Sequence, residues 1–381
     1  LGADGTSLLG GVQQSGSGRQ AFVAAGRAGA APSQVTPLGG SGVITTPPVV
    51  AVDDAGHGAV VFARDKTVFL SRCSAGRCSA PASVGTSAVL PQPALALQPG
   101  SGRITVLWRG RTRSHVSRLQ WRITTNGKLG RVHTLGELGD QPQLGTDASG
   151  KSVAIWLGHG TNGGLRTAAR RVGEMTRPTR LFPGRVALPR LVTGAGGETI
   201  AAWISAANLD VQSLSAQALF ATRTPNRAFS TPLVVGGPDT GALALDRAPD
   251  GHAVLALDRQ VDATDAIPEA AVRAPHGPFG APQPLAGAQF IPTPFGPAAS
   301  IDDRGTATVA WASGAMPPGL PVTPDGFFAA RGDAGAAFGP PQQLTADATT
   351  GNQQHPVTAA AGTRTLVAWT TPAGAFVATA G

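Results

Sequence analysis

Asp258, Asp262, Asp265 and Glu269 place four carboxylates within twelve residues. Carboxylates spaced this way can ligate Ca²⁺ or supply the acid and base of a hydrolase. The spacing departs from an EF-hand loop, and a solvated acidic loop between two strands is the competing reading. The remaining Glu residues are 137, 174 and 198, and six Asp residues (53, 54, 147, 250, 302, 303) stand in a repeated turn, where Asp bonds its own backbone. Glycosidases need two carboxylates about 5–9 Å apart, or a Tyr nucleophile in sialidases. The chain has no Tyr, which excludes the sialidase chemistry. Its seven His residues form neither an HExxH motif nor a Cys/His cluster, and no G-x-S-x-G elbow is present. No cofactor is expected; Ca²⁺ is the one metal the acidic loop would suit.

Gly145–Ser152 spells G-x-x-x-x-G-K-S, the phosphate-binding loop pattern. That loop works only between a strand and a helix whose N-terminus faces phosphate. Here Val153-Ala154-Ile155-Trp156 follows, a strand pattern, so the segment reads as a turn.

Charge supplies a second candidate chemistry. The net charge is +8, and 27 of the 30 basic residues are Arg, a bias that reads as high-GC bacterial coding. Between Arg103 and Arg190 there are 16 basic and 4 acidic residues. Arg109, Arg111 and Arg113 alternate, as do Arg118 and Arg122, and alternate strand residues share a face. Together they would make a basic flank for an anionic polymer, the competing reading being ordinary solvation of outer strands.

Cys73 and Cys78 are the only cysteines and flank a short turn. A four-residue hairpin loop brings flanking Cβ atoms within disulfide reach, and no His lies nearby to complete a metal site. A disulfide, and with it an oxidising compartment, is expected.

These residues must be positioned by a turn-rich chain of 52 Gly and 32 Pro, with 14% charged and 41% apolar residues. Such a composition folds, and folds as β-structure. One pattern recurs: a small apolar strand, an Asp/Gly turn, then an alternating strand closed by an aromatic residue. Its copies are Val50–Phe62, Ala96–Trp108, Leu144–Trp156, Leu191–Trp203, Leu245–Leu257 (with Leu in the aromatic place), Ser300–Trp311 and Ala359–Trp369, with closing residues 46 to 58 apart. That period is the size of a four-stranded blade. The repeat resembles the β-propeller repeat proteins, including the sialidase-like and TolB-like groups.

The expectation is an all-β, single-domain, seven-bladed propeller of four-stranded antiparallel blades over residues 1–381. Residues 48–381 supply seven repeats, and residues 1–47 supply strands that close the ring with the C-terminus; eight blades is the alternative. The later copies carry longer loops, as in 313–326 and 345–355, and loops on a rigid scaffold carry function. The expected function is a secreted or envelope-associated, monomeric, non-catalytic binding module. Its partner would be an extracellular protein, a glycan or an anionic polymer. A carbohydrate-active hydrolase or lyase using propeller carboxylates is the alternative. No stretch is long and apolar enough for a membrane helix.

Overall fold

The computed structural model describes residues 1–380 except 16–17, 28–33, 41, 45, 75–76, 88–90, 112–116, 126, 160–162, 171–172, 206–215, 263–264, 291–295, 316–322, 334, 346–355 and 372–373. Among the described residues there is no helix, and the strands form eight successive antiparallel sheets, a β-propeller arrangement of eight blades. The chain divides into two compact units: Leu1–Pro183 with Thr193–Thr199 and Thr222–Phe229, and Gly184–Val192 with Ile200–Ala221 and Ser230–Gly381.

The fourth blade shows the plan. Gly139–Thr146, Ser152–Gly158, Gly164–Ala169 and Thr179–Phe182 follow one another as a meander, each pairing with the next. The inner two strands are joined by a fixed turn. Asp147 N donates to Lys151 O at 3.0 Å and Gly150 N donates to Asp147 O at 2.9 Å. Gly150 has φ +79°, which an L side chain adopts only at a cost. The same hydrogen-bond pair recurs at 53/57/56, 194/198/197, 248/252/251 and 302/306/305.

The expected count of seven blades is corrected to eight by the N-terminus. Gly2 N donates to Thr6 O at 2.8 Å and Gly5 N to Gly2 O at 2.9 Å, the same turn in another spelling. Thr6–Ser15 is therefore a second strand, Gly18–Arg27 a third and Gln34–Pro37 an outer strand, all of one blade. Gln34–Pro37 pairs with residues 22–25, not with the C-terminal strands. The C-terminal sheet of Val357–Ala361, Arg364–Thr371 and Gly374–Ala380 stands as its own blade. Among the described residues, the strands of the two termini thus form two three-stranded sheets and not one shared blade.

Packing between neighbours fits the aromatic wedge. Trp108 is 0% exposed and joins Val61, Leu70 and Val84 of the second blade in one apolar cluster. Trp156 does the same with Leu107, Leu119 and Trp121 of the third blade, and Trp369 with Phe327 of the seventh. Leu257 holds the equivalent place in the sixth blade, packed with Ile200, Ile204 and Phe220 of the fifth. Burial of flat apolar faces at these junctions is what holds the neighbouring blades together.

Cys73 and Cys78 stand opposite each other in register at the end of a hairpin and form a disulfide. The loop they close is short, so reduction should lower the unfolding free energy by only about 2 kcal/mol. Denaturant midpoints with and without reductant measure it; a loss above twice that would mean the bridge holds more than its own hairpin.

Candidate functional site

The third and fourth blades meet in one compact unit, and there a mixed-charge cluster forms. Arg109 leaves the strand Arg103–Arg111 directly after the wedge Trp108. Its Nη1 donates to Asp140 Oδ1 at 2.6 Å, and Asp140 Oδ2 lies 2.8 Å from His159 Nε2. The side chains of Arg109, Asp140 and His159 are 21, 31 and 42% exposed, enough for a ligand to reach the imidazole. Beside them Arg166 Nε and Nη2 hold Glu137 Oε2 and Oε1 at 3.1 and 2.7 Å. Glu137 is in turn tied to the third blade, its carbonyl accepting from Leu119 N at 2.8 Å.

Local backbone sets this geometry. The register of the inner two strands of the fourth blade shifts between Asp140 and Gln143. Gln141 sits there at φ +48°, a conformation costing about 1–3 kcal/mol in a non-Gly residue. Its N–H donates to Gln92 Oε1 at 3.0 Å. Leu188 takes φ +49° at the corresponding place in the fifth blade, so the positive-φ residue recurs in the next blade and the Asp–His pair is what the fourth blade adds to it.

The arrangement can orient a base. Asp140 carries one bond on each oxygen: Arg109 fixes the carboxylate and the carboxylate fixes the imidazole. With Nε2–H donating to Asp140, Nδ1 keeps its lone pair for a proton, and no described residue bonds to it.

The arginines predicted as a single flank do not share a face. Arg109 stands opposite Leu119 and Arg111 opposite Ser117, on the side packed toward the fourth blade. Arg118 stands opposite Gly110 and Arg122 opposite Val106, on the side packed toward the second. Arg122 is spent on structure, Nε donating to Gly130 O at 2.7 Å and Nη1 to Val84 O at 2.8 Å. Arg118 Nη1 is 3.4 Å from Ser117 O. Arg113 lies outside the described residues. Arg111 is exposed and has no ion-pair partner among the described residues.

The four acidic residues also separate. Asp262 and Asp265 make the hairpin end, Asp265 N donating to Asp262 Oδ1 at 2.8 Å. Asp258 stands opposite Pro268, whereas Glu269 stands opposite Leu257, so the two carboxyls point to opposite faces of the sixth blade. Glu269 Oε1 accepts from Arg259 Nε at 2.7 Å. Asp258 is 2% exposed, with Oδ1 unpartnered, and burial raises its pKa well above the ordinary carboxylate value. No set of three His, Cys, Asp or Glu side chains that could hold a metal ion occurs among the described residues. Gly145–Ser152 runs strand, turn, strand, and no helix follows Lys151. The long loops near 316–322 and 346–355 lie outside the described residues.

No family model matches the chain, and no curated protein matches it. Solved structures do. One is a polysaccharide lyase of a new family, PL25 ulvan lyase: TM-score 0.51, 10% identity, 83% of this chain and 88% of that one covered. The same lyase bound to -[GlcA(1-4)Rha3S]- matches with the same figures. An α-L-arabinanase of Penicillium chrysogenum with arabinobiose matches at TM-score 0.43 and 12% identity, over 72% of this chain and 87% of that one. At such identity the likeness is one of fold.

Proposed function

We propose that this chain is carbohydrate-active and acts on an acidic polysaccharide, with His159 as the proton-transferring group at the junction of the third and fourth blades. The observation that carries this reading is Asp140, bonded to Arg109 on one oxygen and to His159 on the other. A base oriented by a third group is the arrangement proton abstraction requires.

The chemistry it suits best is elimination from a uronate. The base removes the proton on C5, beside the carboxylate; a C4=C5 double bond forms; the C4–O bond breaks and the leaving oxygen takes up a proton. Charge developing on the carboxylate needs a cation, and the exposed Arg111 supplies one at the same end of the strand as Arg109. Hydrolysis would need two carboxylates placed across a sugar, whereas Asp140 and Glu137 are each bonded to a cation. The fold shared with a lyase whose structure holds a glucuronate-containing oligosaccharide fits the same substrate class. The Cys73–Cys78 disulfide supports an oxidising, extracytoplasmic setting. No helix among the described residues is long and apolar enough to cross a membrane.

The test is depolymerisation of uronate polymers, read as ultraviolet absorbance of the new double bond. His159→Ala should cut turnover at least about tenfold with binding retained. Arg111→Ala should raise KM more than it lowers kcat. Binding without any turnover by the unaltered protein would return the chain to a non-catalytic binding module. Full turnover in His159→Ala would remove His159 from the role.

A further inference from the structure

We propose that the turn end of the fourth blade carries an oxyanion site, centred on Lys151 and Arg170, that takes a sulfate or phosphate ester. It is separate from the Asp140 face, which lies at the other end of the same strands, roughly 20 Å away at about 3.3 Å per residue. A cleft there is lined by Asp147, Lys151 and Arg170 and by Thr193, Arg223 and Asn226, all within one compact unit.

Three of these six side chains are cations and one is a carboxylate, and the carboxylate is already committed. Asp147 is 5% exposed, and its Oδ1 accepts from Lys151 N at 2.9 Å and from Ser149 Oγ at 2.7 Å. The Lys151 ammonium bonds to no described residue. Arg170 meets no carboxylate among the described residues either: Nη1 donates to Gly150 O at 3.1 Å, and Nε is buried without a partner there. Its guanidinium lies 5.8 Å from the centre of the Trp121 ring, which is itself stacked on His133 at 4.2 Å. Arg170 is therefore oriented before any ligand arrives, and binding costs it little side-chain freedom. Burial first, and Arg103 second, hold its pKa below the ordinary arginine value. Cations gathered in this way favour a counter-anion between them.

The chemistry differs from that of a phosphate-binding loop, although Lys151 is the lysine of the look-alike motif. Three of the turn amides are already used: Ala148 N donates to Ala195 O, Gly150 N to Asp147 O, and Lys151 N to Asp147 Oδ1. Recognition must come from side chains, an ammonium and a guanidinium fork, with the Thr193 hydroxyl and the Asn226 amide beside them. A tetrahedral ester presents three oxygens to such a set. Gly197 lets the second wall close in. It has φ +85°, and a Cβ there would come 2.8 Å from Asp147 Oδ2 and 3.1 Å from Pro225 Cγ.

The experiment is calorimetric titration of the full chain with glucose 6-sulfate and, separately, glycerol phosphate at constant ionic strength. At least one ester should bind saturably, and the tighter of the two identifies the source. Lys151→Ala should weaken binding about fivefold or more. It should leave the ligand-free Tm unchanged, because the ammonium holds nothing in place. Arg170→Lys keeps the charge but loses the fork and the stack, and should weaken binding as well. Failure of both esters to saturate overturns the proposal, and so does wild-type affinity in Lys151→Ala. Uronate turnover is not touched by either result, so this site and the Asp140 site stand or fall separately.

Discussion

Trp108→Ala should lower the unfolding free energy by about 3–5 kcal/mol, the cost of deleting a fully buried aromatic from a packed interior. The indole is 0% exposed and fills the junction of the second and third blades with Ile104, Val106, Val61 and Val84. Its fit is tight: a Cβ on Gly85, in the outer strand of the second blade, would come 2.6 Å from Trp108 Cζ2. The second blade cannot collapse into the vacated space, since its strands are held by their own ladders. Trp108 Nε1 makes no hydrogen bond, so Trp108→Phe loses volume but no polar partner and should cost much less, about 1–2 kcal/mol. Urea midpoints at constant m measure both. A loss under 1 kcal/mol for the alanine variant would mean that the wedge does not carry the junction.

The wedges were legible because one large residue recurred at a fixed distance after a turn. The first blade was not, because its turn is written Gly2-Ala3-Asp4-Gly5-Thr6: a glycine holds the place of Asp53, and no aromatic closes the strand that follows. The Asp53 role passes to Asp4, whose Oδ1 accepts from Thr6 N at 2.8 Å and whose carboxyl pKa is lowered, chiefly by the Thr6 hydroxyl bond. The cysteine pair was legible for the opposite reason, since a short hairpin leaves little choice of partner.

The arginine flank shows where alternation stops being informative. Period two says which residues of one strand share a face. It says nothing of how that face lines up with the next strand, and one residue of slip moves a whole set to the other side. Arg109 opposite Leu119 places Arg118 and Arg122 away from it. The Asp140–His159 pair, by contrast, could have been reached by counting outward from the turn. Thr146 faces Ser152, and six further steps bring Asp140 opposite Gly158 in a regular ladder, next to His159. The observed bulge moves Asp140 one place, opposite Leu157, and the contact survives. Histidines scattered along the sequence gave no reason to count.

The second large effect concerns a group whose burial no spacing rule announces. Asp258 follows Leu257 as Arg109 follows Trp108, but where Arg109 meets Asp140, Asp258 meets Ala242 and Pro268 in register and keeps Oδ1 unpartnered. On the same face Gln289, opposite Ala266, has a buried Nε2 without a partner, and Asp246 is the other ionisable group among this blade's described residues. Arg259 and Glu269 lie on the far face. Burial raises the Asp258 pKa in the folded state, so the folded protein binds a proton that the unfolded chain, titrating near 4, has released. Stability is then full below about pH 4 and falls by about 1.4 kcal/mol for each further pH unit until the folded pKa is passed. Asp246, raised to about 6 by burial against the N–H bonds of Arg247 and Ile301, adds a second slope that ends near that value. Asp258→Asn removes the first slope and leaves the second. It should match the wild type near pH 4 and exceed it increasingly as the pH rises toward 7, and urea midpoints across that range decide the matter. Parallel pH profiles for the two proteins would mean that Asp258 ionises freely, which a carboxyl enclosed between two blades cannot do without solvent reaching it.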